Sequence, residues 1–186
     1  MKFFSPARPF APFILAAAIA CAPAAWAQAQ PPSPTEAAQG VRDARLSDSD
    51  RIFMRGVAPL VIRMRQLGEI GRKQLPAGEG RRFASALSEQ SDQAFGRLKT
   101  LSQALGNTIP MDMSDLADQR LRALAQARGS ALQAQYKALA VEWLEEERKS
   151  LHDGDERGEN ERVRQWAAEL HKARGDMLAQ ARRLPG

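Results

Sequence analysis

The chain contains very few of the cysteine and histidine residues on which disulfide frameworks and many metal sites depend. Its 186 residues include one cysteine and two histidines. One cysteine cannot form a disulfide framework within the chain or a zinc site built from several thiolates. Aromatic residues make up only 6% of the sequence, so aliphatic side chains must fill the core. With so few rings for base stacking, we expect no nucleic-acid partner.

Long hydrophobic runs are also missing, apart from one near the start. The apolar run at residues 10–20 is too short to span a bilayer. It follows the positively charged Lys2 and Arg8 and precedes an A-x-A cleavage site at residues 25–27. This order predicts a signal peptide at residues 1–27, with export to the periplasm and cleavage after its last residue.

A second interpretation of the leader concerns Cys21. Residues 18–21 read Ala-Ile-Ala-Cys, a poor match to a lipobox, in which the cysteine becomes a lipid anchor. Ala18 is a weak substitute for the leucine-like residue of that motif, and cleavage after Ala27 is therefore favoured. Cleavage after Ala27 removes the only cysteine and two positive charges.

The rest of the chain has the composition of a folded domain that follows a lead-in. Hydrophobic residues account for 44% of the sequence and charged residues for 26%, as in ordinary globular domains. Residues 28–46 are rich in Gln, Pro, Ala and Ser and predict a flexible lead-in. A helical bundle domain is predicted at residues 47–184. Its first helix begins at the capping-box sequence Ser47-Asp48-Ser49-Asp50.

Apolar residues then recur at spacings of three and four, which indicates helices with one buried face. Long helices are predicted around stripes from Phe53 to Leu67 and from Ala84 to Leu105, and a short helix from Ser114 to Gln126. Two more long helices carry stripes from Leu132 to Leu151 and from Val163 to Leu184, with a loop between them at His152, Asp153, Gly154 and Asp155. No stretch has the alternation of a strand. We predict an all-α fold, an antiparallel four-helix bundle with an extra short helix.

A set of residues follows these helices in a characteristic order. The set is Asp50, Phe53, Leu67, Gly68, Phe83, Ala84, Leu87, Leu98, Leu101, Gly106, Pro110, Gly129, Leu132, Tyr136, Leu178 and Ala181. Their order resembles that of the bacterial exported family known as domain of unknown function 4142. The resemblance covers roughly residues 47 to 184.

This resemblance implies an exported, periplasmic or membrane-associated protein with a ferritin-like helical bundle. Many members of the family carry polar, potentially ligating residues inside the bundle, one Glu and three His. The corresponding positions here are Met64, Ser91, Leu144 and Met177. Three of these residues are apolar and all four lie on the predicted stripes. We therefore expect a hydrophobic core, in which Ser91 is a polar interruption that alanine can replace without loss of stability.

No catalytic or metal-binding motif is evident in the remaining polar residues. A ferritin-type di-metal site needs two Glu-x-x-His pairs, but Lys149 and Ala168 stand three residues before His152 and His171. We expect both histidines at the surface, His152 in a loop. The nucleophile motifs G-x-S-x-G and S-x-x-K are also missing. We predict no catalytic, cofactor-binding or metal-binding residues and no cofactor.

Three further features have structural explanations. The acidic run from Glu145 to Lys149 and the loop at residues 153–156 are predicted to be solvated surface. Met111 and Met113 offer two thioethers, which is too few for a copper(I) site, and we expect them to cover one end of the bundle. Residues 51–82 are basic and residues 142–161 acidic. These two segments either attract each other across the bundle or form opposed faces.

Two functional hypotheses follow from the sequence. The first is a non-enzymatic envelope or stress-associated interaction domain, with an unknown protein or envelope partner and a ferritin-like interior that has lost potential metal ligands. Its net positive charge favours peripheral association with an anionic membrane or cell-wall surface. The alternative is a metal-binding or oxidoreductase-like bundle that uses the carboxylates Glu69, Glu89, Asp92, Glu142 and Glu146. Most of these carboxylates lie off the apolar stripes, which favours the first hypothesis.

Overall fold

The computed structural model describes residues 46–185, which form five helices and no strand. The helices are α1 (Asp48–Gln74), α2 (Glu79–Ala104), α3 (Asp115–Gln126), α4 (Gly129–Arg157) and α5 (Glu161–Arg183). The predicted all-α fold class is therefore confirmed for this part of the chain. The four long helices and the short one occur in the predicted order.

The predicted signal peptide, 1–27, and all but one residue of the predicted lead-in, 28–46, lie outside the described residues. The exception is Leu46, which is buried in the core. Within residues 46–185, none of the helices combines the length and the hydropathy that crossing a bilayer requires.

A single buried carboxylate fixes the start of α1. The Ser47 hydroxyl accepts a hydrogen bond from the Asp50 amide at 3.1 Å, and Asp50 Oδ2 accepts one from the Ser47 amide at 3.2 Å. The predicted capping box is thus confirmed. Asp50 also accepts hydrogen bonds from the amides of Glu159 and Asn160, at 3.1 and 3.2 Å. Because Asn160 is the N-cap of α5, Asp50 ties the start of α1 to the start of α5.

The core consists of two clusters of buried apolar side chains, one on each half of the long helices. The first cluster includes Met64, Leu67, Phe83, Leu87, Leu121, Leu124, Tyr136, Trp143, Leu144, Met177 and Leu184. The second cluster includes Leu46, Met54, Val57, Val61, Phe95, Leu98, Leu151, Val163, Trp166 and Leu170. Helices α1 and α5 run from the second cluster to the first, and α2 and α4 run the opposite way.

Each of the four long helices packs against two of the others. Helix α1 packs against α2 and α4, and α5 packs against the same two helices from the other side of the set. Helix α3 packs against α1 and α4. Each long helix therefore buries its apolar stripe against two neighbours, as the period of its sequence predicts.

Two glycines of α1 allow unusually close packing. A Cβ at Gly68 would lie 2.5 Å from the backbone nitrogen of Ser88 and 2.8 Å from the carbonyl oxygen of Ala84, both in α2. A Cβ at Gly71 would collide with the ring of Tyr136 in α4. The missing side chains therefore set the distance of α1 from both neighbours.

The predicted loop at residues 152–155 is wrong, because α4 continues to Arg157. Gly154 lies inside this helix, where a Cβ would collide with the ring of Phe53. This glycine makes room for a neighbouring aromatic ring and does not end the helix. His152 is consequently a helical residue.

Most of the predicted stripe residues are buried, but some are not. Phe53, Leu60 and Leu105 are half-buried. The helical spacing of Leu116, Leu121 and Leu124 predicts that all three are buried, but Leu116, at the start of α3, is 66% exposed. The buried face of α3 begins one residue later, at Ala117, and continues through Leu121 and Leu124.

Candidate functional site

Three polar side chains lie in the interior between the two apolar clusters. Ser91 of α2, Glu147 of α4 and Arg174 of α5 each have 0% of their surface exposed. Each stands where one cluster ends and the other begins along its helix. They are brought together because α5 runs antiparallel to both α2 and α4.

The guanidinium of Arg174 is the centre of this polar group. Its Nε lies 2.8 Å from Glu147 Oε2. Its Nη2 donates to Glu147 Oε1 at 3.3 Å and to the Ser91 hydroxyl at 2.8 Å. Its Nη1 is 3.5 Å from the sulfur of Met177. The arrangement is an ion pair with one hydroxyl and one thioether around it, closed off from solvent.

The ionised state of Glu147 depends on Arg174. Burial raises the pKa of the Glu147 carboxyl above its ordinary value, and the charge and hydrogen bond of Arg174 act against this effect. The charge of Arg63 acts in the same direction as Arg174. A buried carboxylate without such a partner would take up a proton, because desolvation disfavours the charged form.

The four positions that correspond to ligating residues in relatives are all interior. Met64, Ser91 and Leu144 are fully buried and Met177 is 2% exposed, as the sequence predicted. Ser91 is nevertheless more than an interruption of the stripe. Its hydroxyl accepts a hydrogen bond from Arg174, so alanine would leave a buried N–H without this acceptor. The expectation that alanine is tolerated there is therefore replaced by an expected loss of stability.

Neither Glu147 nor Arg174 was predicted to be buried, although the sequence contains a signal for both. Glu147 lies between Leu144 and Leu151 at spacings of three and four, and Arg174 lies between Leu170 and Met177 at spacings of four and three. Opposite charges on the buried stripes of two helices indicate a buried ion pair. The prediction of solvated surface for residues 145–149 holds for Glu145 and Glu146, which are exposed, and is wrong for Glu147.

A second polar group surrounds the buried Trp143 at the contact of α1, α3 and α4. The guanidinium carbons of Arg63 and Arg120 lie 4.9 and 5.5 Å from the centre of the Trp143 ring, within the range of a cation–π interaction. Arg63 donates to Glu146 at 2.7 Å, and Arg120 donates to both oxygens of Glu142 at 2.6 Å.

The Arg120–Glu142 pair shifts the pKa values of both its members. The hydrogen bond from Arg120 lowers the pKa of Glu142, and the same bond raises the pKa of Arg120. The Arg63–Glu146 pair joins the basic segment 51–82 to the acidic segment 142–161. At this point the two segments attract each other across the helices, as one of the two sequence interpretations predicted.

Comparison with known proteins identifies the family of this chain. A model of the family described as Domain of unknown function (DUF4142) matches residues 35–184. The chain belongs to the DUF4142 family. The match begins within the predicted lead-in and ends at the predicted end of the domain. Searches of curated proteins and of solved structures found no match.

The carboxylates of the alternative metal hypothesis do not converge in this DUF4142 chain. Glu69, Glu89 and Asp92 border a surface groove between α1 and α2 that also contains Arg65 and Arg72. Arg65 donates to Asp92 at 3.2 Å, and Lys73 pairs with Glu69 at 3.7 Å. Glu142 and Glu146 lie elsewhere, beside Trp143. Within residues 46–185, no three His, Cys, Asp or Glu side chains are grouped so that they could hold a metal ion.

The two histidines form a pair on the surface of α4 and α5. Their ring centres are 5.7 Å apart. His152 is exposed and its Nε2 is 3.3 Å from Glu156. His171 is half-buried, with its Nε2 3.0 Å from Nη2 of Arg148. Burial lowers the pKa of His171, and the charges of Arg148 and His152 lower it further, while Asp155 opposes them.

The two methionines before α3 lie in different environments. Met111 is 57% exposed. Met113 is half-buried and packs against both apolar clusters. The expectation that these methionines cover one end of the bundle is wrong: Met111 is exposed, and Met113 packs against both clusters rather than at one end.

Proposed function

We propose that this DUF4142 protein is a non-enzymatic, exported helical bundle that acts through its surface as an envelope or stress-associated interaction domain. The observation that favours this proposal over the metal-binding alternative is the buried Glu147–Arg174 pair. In the part of the chain that the structure describes, Glu147 is the fully buried glutamate. Its charge is already balanced by Arg174.

The ion pair leaves the interior unsuited to a metal ion. A buried divalent metal needs negatively charged or imidazole ligands that offset its loss of hydration. The guanidinium of Arg174 holds the one carboxylate at this level of the core and repels a second cation at short range. The neighbouring thioether of Met177 and the buried side chains of Met64 and Leu144 in the first cluster supply no hard ligand.

The packing supports an antiparallel, ferritin-like four-helix bundle as the architecture of this domain. Helices α1, α2, α5 and α4 pack in that cyclic order, and successive helices of the cycle run in opposite directions. Helix α3 is the extra short helix, placed against α1 and α4. The proposed role is that of a rigid scaffold whose function is carried by its exposed residues.

The exported state rests on the leader and can be tested directly. We expect the full chain, produced in a Gram-negative cell, to appear in the periplasmic fraction with its first residue at Gln28. Replacement of Ala25 and Ala27 by Glu should block processing. A lipid-modified chain beginning at Cys21 would contradict soluble export, and a cytoplasmic full-length chain would contradict export altogether.

The interaction role can be tested with a photo-crosslinking amino acid at exposed apolar positions. Ile52 is 72% exposed and Leu116 is 66% exposed. Lys99, which is exposed and charged, serves as the control position. We expect discrete crosslinked species in intact cells from at least one apolar position and none from the control. Identical patterns at all three positions, or no crosslinks anywhere, would contradict an interaction surface that includes these residues.

A further inference from the structure

A shallow groove between α4 and α5 is lined mainly by basic side chains. Its polar lining residues are Glu145, Arg148, Lys149, His152, His171 and Arg182. All of these except Glu145 are basic. The two helices run antiparallel, so side chains that lie far apart in the sequence meet along this groove.

The carboxylates at the two ends of the groove already have partners. At one end, Glu145 Oε1 accepts a hydrogen bond from Arg182 Nη2 at 2.8 Å. At the other end, Glu156 Oε1 is 3.3 Å from Nε2 of His152. The middle of the groove, between these two pairs, is therefore left with basic side chains.

Arg148, in this middle part, is a cation without a close counter-charge. Its Nη2 lies 3.0 Å from Nε2 of His171, and it forms no ion pair with a carboxylate of residues 46–185. Its Nε and Nη2 atoms would lie 3.6 and 3.8 Å from a Cβ at Gly175, so the guanidinium rests against α5. Its Nη1 has no partner in the described part of the chain and, unlike Nε, is not buried. A positioned guanidinium with a free donor is thus available to a ligand in the groove.

The basic groups of the groove are close enough to act on one another. The ring centres of His152 and His171 are 5.7 Å apart. Burial lowers the pKa of His171, and the charges of Arg148 and His152 lower it further, against the opposing charge of Asp155. An anion between such groups is favoured, because it attracts each of them and offsets their mutual repulsion.

We propose that this groove binds a doubly charged tetrahedral oxyanion of the phosphate type. Arg148 and Lys149 supply positive charge, and the imidazoles of His152 and His171 supply N–H donors. A phosphate group carries more charge and more acceptor oxygens than a carboxylate, so it can contact donors from both helices. Its source is either free phosphate or the phosphate of a lipid headgroup. The site goes beyond the proposed interaction role and does not depend on it.

The test follows the imidazole rings by NMR in the full chain labelled with ¹⁵N. The chain has only two histidines, so the ring signals of His152 and His171 can be assigned with one substitution. Sodium phosphate replaces sodium chloride at constant ionic strength and about pH 8, where phosphate is mainly doubly charged. We expect phosphate to shift both sets of ring signals in a saturable manner, and chloride alone to cause no such shift.

Two variants and a control assign the binding to the groove. Arg148→Gln should weaken phosphate binding about 10-fold or more, because it removes a charge-assisted hydrogen bond. Lys149→Gln replaces an exposed side chain, which leaves the fold intact, and should weaken binding about 3-fold. Arg162→Gln removes the same charge from an exposed residue of α5 that does not line the groove. This control should change the affinity less than about 2-fold, because solvent and salt screen distant charges.

Vesicles of phosphatidylcholine with and without phosphatidic acid distinguish the two sources of phosphate. Binding to phosphatidic acid that inorganic phosphate displaces and Arg148→Gln weakens supports a lipid headgroup. Saturable shifts with inorganic phosphate and no vesicle binding support a soluble phosphate. The proposal is overturned if phosphate causes no saturable shift of the histidine signals. It is also overturned if Arg148→Gln and Arg162→Gln weaken binding equally, since binding would then follow net charge and not the groove.

Discussion

The Nε atom of Arg174 lies 2.8 Å from Oε2 of Glu147, and neither side chain has any exposed surface. Two full charges are therefore withdrawn from water in the middle of an otherwise apolar core. Such a pair is costly to desolvate, and its geometry and partners decide whether the attraction compensates. The stability that each side chain contributes therefore depends on the presence of the other, and a double-mutant cycle can measure this dependence.

The first prediction concerns the removal of one member of this pair. Arg174→Met and Glu147→Leu should each reduce the free energy of unfolding by about 3–5 kcal/mol. Glu147→Leu leaves the buried charge of Arg174 without its partner, and Arg174→Met leaves a buried carboxyl that must take up a proton or stay unpaired. The double variant should recover most of this loss, since two apolar side chains of similar length can fill the space. Urea denaturation of the four proteins gives the double-mutant cycle. Additive losses would show that the two side chains do not interact.

The second prediction concerns the close approach of α1 to α2. Gly68→Ala should destabilise the fold by more than 1 kcal/mol, since its Cβ would overlap with backbone atoms of α2 that cannot move independently. Gly56→Ala is the matched control in the same helix, because nothing lies within 4 Å of its Cβ position. The control should be neutral or stabilising by about 0.5–1 kcal/mol. Equal effects of the two substitutions on the urea midpoint would contradict the packing described here.

The third prediction concerns the carboxylate that joins the starts of α1 and α5. Asp50→Ala should cost about 2–4 kcal/mol, because it removes the acceptor for the amides of Ser47, Glu159 and Asn160 and leaves these amides partly unsatisfied. Asp48→Ala removes an exposed acid from the same first turn. It should cost only about 0.3–1 kcal/mol through the helix dipole. Thermal or urea unfolding checks both values, and a loss of less than 1 kcal/mol for Asp50→Ala would contradict this role.

The fourth prediction is a pH dependence that originates at His171. Its pKa is lowered in the folded chain, so the unfolded chain binds the proton more readily. Stability should therefore fall as the pH decreases from above about 6.5, the ordinary histidine pKa, through the lowered value. The groups near the ring that contribute are Arg148, His152 and Asp155.

The measurement compares wild type with His171→Gln in urea between pH 8 and pH 5.5. Subtracting the two curves removes contributions that other groups make equally in both proteins. The wild-type midpoint should fall more steeply with decreasing pH than that of the variant. Parallel curves, or a steeper fall for the variant, would show that His171 has no such role.

The spacing of apolar residues along the chain predicts most of this fold. Stripes at spacings of three and four were sufficient to place all five helices, because burial of one face per helix dominates the packing. The capping box at Ser47 and Asp50 was predictable because its partners are only three residues apart. The link from Asp50 to Asn160 was not, because its partners are 110 residues apart.

The interior was predicted only in part for the same reason. Met64, Leu144 and Met177 are apolar, so the burial of each can be predicted from its own residue type and position on a stripe. A charged residue on a stripe can be buried only if an oppositely charged partner on another helix lies beside it. Whether Glu147 and Arg174 lie side by side depends on the register of α4 relative to α5. Gly154 shows a second limit of prediction. A glycine between two aspartates is typical of a turn, and only the structure shows that this glycine makes room for the ring of Phe53 inside a helix.

The measurement that tests the central claim most directly is the metal content of the full chain recovered after export, without an affinity tag, together with its thermal stability with and without a chelator. We predict no stoichiometric metal and the same melting temperature in both conditions, because the interior is a core closed by the Glu147–Arg174 pair. Stoichiometric metal and a melting temperature that falls on chelation would contradict this account and would require ligands among the carboxylates.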